Sequence, residues 1–129
     1  MSASAAGSVI EGMQVFVVED ELMLVFMLED MLSDLGCVLA GSAGSVADAL
    51  SQIDGATVID AAILDVRLGA ETVFPVADAL RKRRVPFIFS TAFGPADLSE
   101  RYPGYPLLVK PYPPQVLAAV LASVGASRH

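Results

Sequence analysis

The sequence predicts an α/β domain built on a parallel sheet with helices on both faces. Short apolar runs alternate with helix-forming segments along almost the whole chain. Those runs are continuously apolar rather than alternating, which is the pattern of strands buried on both sides. Several of them also stop abruptly at charged or hydroxyl side chains. The 129 residues suit one domain. Its expected limits are a flexible N-terminal tail over 1–12, the globular part over 13–125 and a short C-terminal tail over 126–129.

In chain order, Met13–Val18 reads as the first strand, stopped by Glu19-Asp20-Glu21. A helix over Leu22–Leu35 follows and ends at Gly36, a residue suited to the C′ position. Cys37–Ala43 is the second strand. Ser45, with Asp48 three residues on, resembles a capping box that opens a helix over Val46–Ile53. Ala61–Val66 is the third strand. Pro75 sits in the first turn of a helix running to about Arg84. Val85–Ser90 is the fourth strand, with its proline near the start, where it costs least. Leu107–Val109 is the fifth strand, and Pro114 starts a last helix over Gln115–Val124.

Composition excludes several classes. A hydrophobic fraction of 54% rules out disorder, and no apolar run approaches the roughly 20 residues of a spanning helix. Met1–Ser8 has no basic stretch ahead of an apolar one, so it does not read as a secretion signal. The single Cys37 allows no internal disulfide and fits a reducing cytoplasm. A net charge of −7 argues against DNA or other nucleic acid as a partner. The one basic cluster, Arg81–Arg84, lies at a helix end, where cations complement the dipole. His129 is the only histidine and is terminal, which speaks against histidine catalysis and a zinc site.

Crossovers between parallel strands are right-handed, so every strand's C-terminal end emerges along one edge. In open α/β sheets that edge carries the site. Glu19 and Asp20 follow strand one, Asp65 ends strand three, Ser90-Thr91 ends strand four and Lys110-Pro111 follows strand five. Neighbouring carboxylates repel unless a cation neutralises them, and an all-oxygen cluster suits Mg²⁺. A carboxylate in such a site can attack phosphorus to give an aspartyl phosphate. The phosphoryl oxygens would then be neutralised by the metal, by Lys110 and by the Thr91 hydroxyl with nearby backbone N–H groups. Read alone, Glu19 and Asp20 could instead cap the first helix, and Asp65 could end a solvated turn.

Taken as a set in this order and spacing, these residues resemble a response-regulator receiver domain of two-component signalling, over Met13–Val124. The resemblance implies a flavodoxin-like five-stranded parallel sheet of order 2-1-3-4-5. It also implies that Asp65 is the phosphoacceptor and that Mg²⁺ is held by Glu19, Asp20, Asp65 and the backbone carbonyl of Arg67. Thr91 and Lys110 would bind the phosphoryl oxygens. The stretches "LGAETVFPVADAL", "FIFSTAFG" and "VKPYPP" resemble the stand-alone receivers nicknamed "FAT GUY", which serve sensor histidine kinases of the HWE/HisKA2 type. Ser90 and Ala92 depart conservatively from that signature. The implied role is a cytoplasmic phosphoacceptor, not an enzyme, working by protein–protein contact with a histidine kinase or phosphotransfer protein. Shuttle, competitor and phosphate sink all stay open, as does a pseudo-receiver that docks without phosphorylation. A phosphohydrolase using the same aspartate lacks the expected extra acids and a substrate-capping insertion.

Two departures stand out. Receivers often carry a switch aromatic three residues before the strand-five lysine, and here that position is Leu107. Between Gly94 and Pro106, four prolines and glycines precede Tyr105. An interior proline costs a helix about 3 kcal/mol, so the fourth of five helices expected in the family should be reduced or irregular, a turn near Ala96–Arg101. With few apolar anchors, this segment is expected to open locally at low free energy. The first helix is apolar without a break from Leu22 to Leu28, more than one helical face can bury. Leu22, Val25 and Phe26 are expected to face outward as a partner-docking patch, on the helix that receivers present to the kinase.

Overall fold

The computed structural model describes residues 9–55, 58–98 and 101–126. Its elements are β1 (Gln14–Val18), α1 (Leu22–Asp34), β2 (Val38–Ala43), α2 (Val46–Gly55), β3 (Ala61–Asp65), α3 (Phe74–Lys82), β4 (Phe87–Thr91), β5 (Leu107–Val109) and α4 (Pro114–Ala126). All strand pairs in the sheet are parallel and the order is β2-β1-β3-β4-β5, the flavodoxin-like arrangement expected. A two-stranded antiparallel ribbon, Arg67–Leu68 against Glu71–Thr72, lies between β3 and α3. Two-residue strands carry no periodicity that could announce them in the sequence.

Strand alternation sorts the core into two layers. Val15, Val17, Ala61, Ile63, Ile88 and Leu108 face α1 and α4, packing on Leu28, Leu32, Leu117 and Leu121. Phe16, Val18, Ala62, Leu64, Phe87 and Phe89 face α2 and α3, packing on Ala49, Ile53, Val76 and Leu80. β3 is buried along its whole length, as the central strand must be. The second layer also holds an aromatic group in which Phe74, Phe87, Phe89, Tyr102 and Tyr105 meet at centroid distances of 5.0–6.2 Å.

Three expectations change. Among residues 9–12, expected in the N-terminal tail, Ile10 is fully buried in the α1/α4 layer and its carbonyl accepts the Met13 N–H. Residues 1–8 lie outside the described part, as do residues 127–129 of the C-terminal tail. In α1 the buried stripe is Val25, Leu28 and Leu32, spaced three and four residues apart. Val25 is therefore core rather than part of an outward patch. The exposed apolar side chains are Leu22, Met23, Phe26 and Met27.

Third, the β4–β5 connection is irregular, as expected, with a single 3₁₀ turn at Pro95–Asp97 among its described residues. It is not poorly anchored, however. Leu98 is buried and Tyr102 is fully enclosed in the aromatic group. One tyrosine among prolines and glycines contributes more packing than sequence periodicity could reveal.

Both α1 and α3 end in the same hydrogen-bonded turn. After α1, Gly36 at φ 82° bonds to the Ser33 carbonyl, and the Cys37 N–H reaches Leu32. After α3, the Arg84 N–H bonds to Arg81 and the Val85 N–H to Leu80, but the residue in the left-handed region, at φ 59°, is an arginine. A side chain there costs about 1 kcal/mol that glycine does not. Arg84→Gly is therefore expected to raise unfolding stability by about 0.5–1 kcal/mol in urea denaturation, against the usual direction of substitutions.

Candidate functional site

The alternation that sorts the core also builds the site. Continuing Val17, Ile63, Ile88 and Leu108 by one step brings Glu19, Asp65, Ser90 and Lys110 to the α1/α4 side at the carboxyl edge. Asp65 pairs in register with Ser90, and the Lys110 N–H bonds to the Thr91 carbonyl, so the three strand ends finish level. Lys110 Nζ lies 3.0 Å from Glu19 Oε1 and 3.4 Å from Asp65 Oδ2. Glu19 and Asp65 are buried, and the lysine is half-withdrawn from solvent. The peptide bond from Lys110 to Pro111 is cis.

Glu19 also holds the chain as it leaves β1, since its Oε2 accepts the Glu21 N–H at 3.1 Å. That bond lies in the loop, because Glu21 is itself the N-cap residue, and no side chain caps α1, so the helix-capping reading of Glu19 and Asp20 is not what the structure shows. Asp20 is exposed and accepts the N–H of Gly69 at 3.0 Å. Gly69 stands in the turn of the ribbon at φ 60°, so Asp20 ties the loop after β3 to the loop after β1. Arg67 belongs to that ribbon, paired with Thr72, which fixes its backbone two residues beyond Asp65. The role of Gly69 has no side-chain signal in the sequence, because it acts through its backbone N–H.

Thr91 is buried at the end of β4, and its hydroxyl accepts the Phe93 N–H at 3.1 Å. It follows Phe87 and Phe89 on the opposite, α2/α3 side of the strand. Phe93 is 78% exposed and lies under the Arg67 guanidinium, 5.9 Å from ring centre to Cζ. Leu22 and Phe26 are exposed on α1. An apolar recess of about 110 Å³ between α1 and the segment after β5 is lined by Leu24, Met27, Met31, Lys110 and Tyr112.

Ligand oxygens of Glu19, Asp20 and Asp65 come within 4.8 Å of one another. Three hard carboxylate donors with one open, solvent-facing side fit Mg²⁺, which binds through a few carboxylates and retains water. The set contains no sulfur or imidazole that would favour a softer metal. Electrostatics show a cluster short of positive charge. Burial, then repulsion from Glu19, pushes Asp65 up to about 6, although Lys110 pulls the other way. Burial alone would lower Lys110, but its hydrogen bond to Glu19 and the charge of Asp65 raise it instead.

The acidic cluster with its one lysine stands at the carboxyl edge of a parallel α/β sheet, the usual place for a site in such folds. No protein-family model matches the chain, and no curated protein does. Solved structures do match. SdrG from Sphingomonas melonis Fr1 is 41% identical, with 88% of this chain and 96% of that one covered at a TM-score of 0.75. SdrG from Pseudomonas melonis Fr1 in its BeF3-activated conformation is 40% identical, covering 86% and 95% at a TM-score of 0.73. A response regulator receiver protein from Sinorhizobium medicae WSM419 shares the fold at 21% identity and a TM-score of 0.80, covering 92% and 98%. The chain belongs to the response-regulator receiver family.

The raised Asp65 gives a signed pH dependence for the metal-free protein. Its folded value, about 6, exceeds the ordinary 3.8, so the fold favours the protonated carboxyl. That contribution is complete below about pH 4 and is lost as pH rises through about 6. In EDTA, thermal melts should show wild type losing stability between pH 4.5 and 7 relative to Asp65→Asn, with the difference closing toward acid.

Proposed function

We propose that this receiver accepts a phosphoryl group on Asp65 from a sensor histidine kinase, or from a phosphotransfer protein, and signals through protein–protein contact. The observation that carries this reading is the buried Asp65 carboxylate within reach of Lys110 and beside two further carboxylates. The BeF3-activated conformation of the 40%-identical SdrG supports it, because BeF3 on a carboxylate imitates a phosphoryl group.

At neutral pH an Asp65 value near 6 leaves the carboxylate mostly ionised and nucleophilic. An Asp65 oxygen forms a bond to phosphorus as the P–N bond of a phosphohistidine breaks, its electron pair returning to the imidazole nitrogen. The transferring group carries charge on three equatorial oxygens. Lys110 offers an ammonium donor to one of them, and the Thr91 hydroxyl offers an O–H to another. Glu19, Asp20, Asp65 and the Arg67 carbonyl are the groups to hold Mg²⁺, which supplies neutralising charge when bound. Hydrolysis returns the site to its starting state: water attacks phosphorus, inorganic phosphate leaves and the carboxylate is restored.

Leu22, Met23, Phe26 and Met27 form an exposed apolar strip on α1 next to this edge, and we assign it to docking the phosphodonor. The "FIFSTAFG" stretch favours a kinase of the HWE/HisKA2 type, and a cytoplasmic location goes with that partner. No helix among the described residues is long and apolar enough to cross a membrane.

Acetyl phosphate tests the chemistry without the kinase. With Mg²⁺, intact-mass spectra of wild type should show one phosphoryl adduct that is labile in acid and in base, as an acyl phosphate is. Asp65→Asn should show none while keeping its circular dichroism spectrum, and EDTA should abolish the wild-type adduct. A full adduct on Asp65→Asn would refute the assignment.

A further inference from the structure

We infer that Asp78 and Tyr102 are positioning residues for the phosphoryl site, their hydrogen bond fastening the β4–β5 connection so that Thr91 and the backbone after it are held in place. This rests on the phosphoacceptor reading and extends it to residues outside the pocket. The connection follows Thr91 directly, and the one regular turn among its described residues is three residues long. Something other than a helix must hold it.

Tyr102 is the main anchor. Its ring is fully buried, stacked on Phe74 at 5.7 Å, with Phe89 at 5.3 Å and Phe87 at 5.8 Å meeting it edge-on. The hydroxyl donates to Asp78, one helical turn beyond Phe74 on α3. Arg101 pairs with the same carboxylate and lies over the Phe74 ring, while Arg81 covers Tyr102 at 5.3 Å. The Tyr102 hydroxyl, followed by Arg101, holds Asp78 below the usual carboxylate range. Burial, then Asp78, pushes Tyr102 up to about 12. Phenol donor and carboxylate acceptor are therefore both fixed at neutral pH.

The lock reaches the site through β4. Phe87, Phe89 and Thr91 occupy one face of that strand, and the Tyr102 ring covers it up to Phe89. Thr91 is next in line, and its hydroxyl already orients the backbone by accepting the Phe93 N–H. The carboxylates of the proposed metal site sit on the other side of the sheet with Lys110. Loosening the lock should accordingly disturb Thr91 and leave Mg²⁺ binding alone.

The test uses Tyr102→Phe, which keeps the ring and removes the donor, Asp78→Ala, which removes the acceptor, and the double variant. Three quantities are read: amide exchange of residues 101–106, Mg²⁺ affinity, and the initial rate of labelling by acetyl phosphate at saturating Mg²⁺. Each single variant should speed exchange about tenfold, the worth of one hydrogen bond to a charged group. Each should slow labelling about three- to tenfold with Mg²⁺ affinity within about twofold of wild type, and the double variant should match Asp78→Ala, which by itself already removes both the Tyr102 bond and the Arg101 pair. Unchanged exchange would overturn the lock. Faster exchange with wild-type labelling, or labelling and Mg²⁺ affinity falling together, would overturn the positioning role alone. A wild type that is never labelled would overturn the phosphoacceptor reading and this role with it.

Discussion

Everything at the carboxyl edge depends on one ammonium among three carboxylates. Lys110 reaches Glu19 and Asp65 at once, and without it two buried acids would face each other inside low-dielectric surroundings. Removing one partner of such a buried pair typically costs about 3–5 kcal/mol, because the charge left behind has no compensation. The arrangement is nevertheless incomplete as a stabilising device. One positive charge does not balance three negative ones, and Asp65 is left with a raised affinity for protons. A site built for maximum stability would not be left short of cations. A site able to bind a metal ion would be, because its unbalanced negative charge is what attracts the cation.

The fold supplies this geometry through parallel strands alone. Level strand ends and strict alternation put Glu19, Asp65 and Lys110 on one side of the sheet although they are up to 91 residues apart in sequence. Backbone and side-chain bonds then pin the loops: Glu19 to the Glu21 N–H, and Asp20 to the Gly69 N–H. The opposite side of β4 is handled differently. There an aromatic group takes over from a regular helix, so the connection after Thr91 is irregular in backbone yet tightly packed.

How much was legible in the sequence follows from this division. The five strands could be read because each is a continuous apolar run with a polar stop, and the site residues could be read because they are those stops. Gly36 announced the end of α1 for a stereochemical reason, its left-handed φ. Val25 was misplaced because a helix apolar from Leu22 to Leu28 gives no phase of its own, and only packing on the sheet chooses the stripe Val25, Leu28 and Leu32. Ile10 and Tyr102 were hidden for a related reason. Each is a buried residue next to polar or turn-forming ones, Glu11 and Gly12 beside Ile10 and Arg101 and Pro103 beside Tyr102, so their role appears only where the chain meets a core assembled from elsewhere.

The central claim is that the carboxylate cluster is a cation site kept at an electrostatic cost in the metal-free protein. Urea unfolding of wild type and Asp20→Asn, each in EDTA and in saturating Mg²⁺, tests it most directly. The claim predicts that Asp20→Asn is the more stable of the two in EDTA, because a repelling charge is gone while an oxygen still accepts the Gly69 N–H, and that Mg²⁺ stabilises wild type far more than the variant. Equal stabilisation of both proteins by Mg²⁺, or none of either, would contradict it.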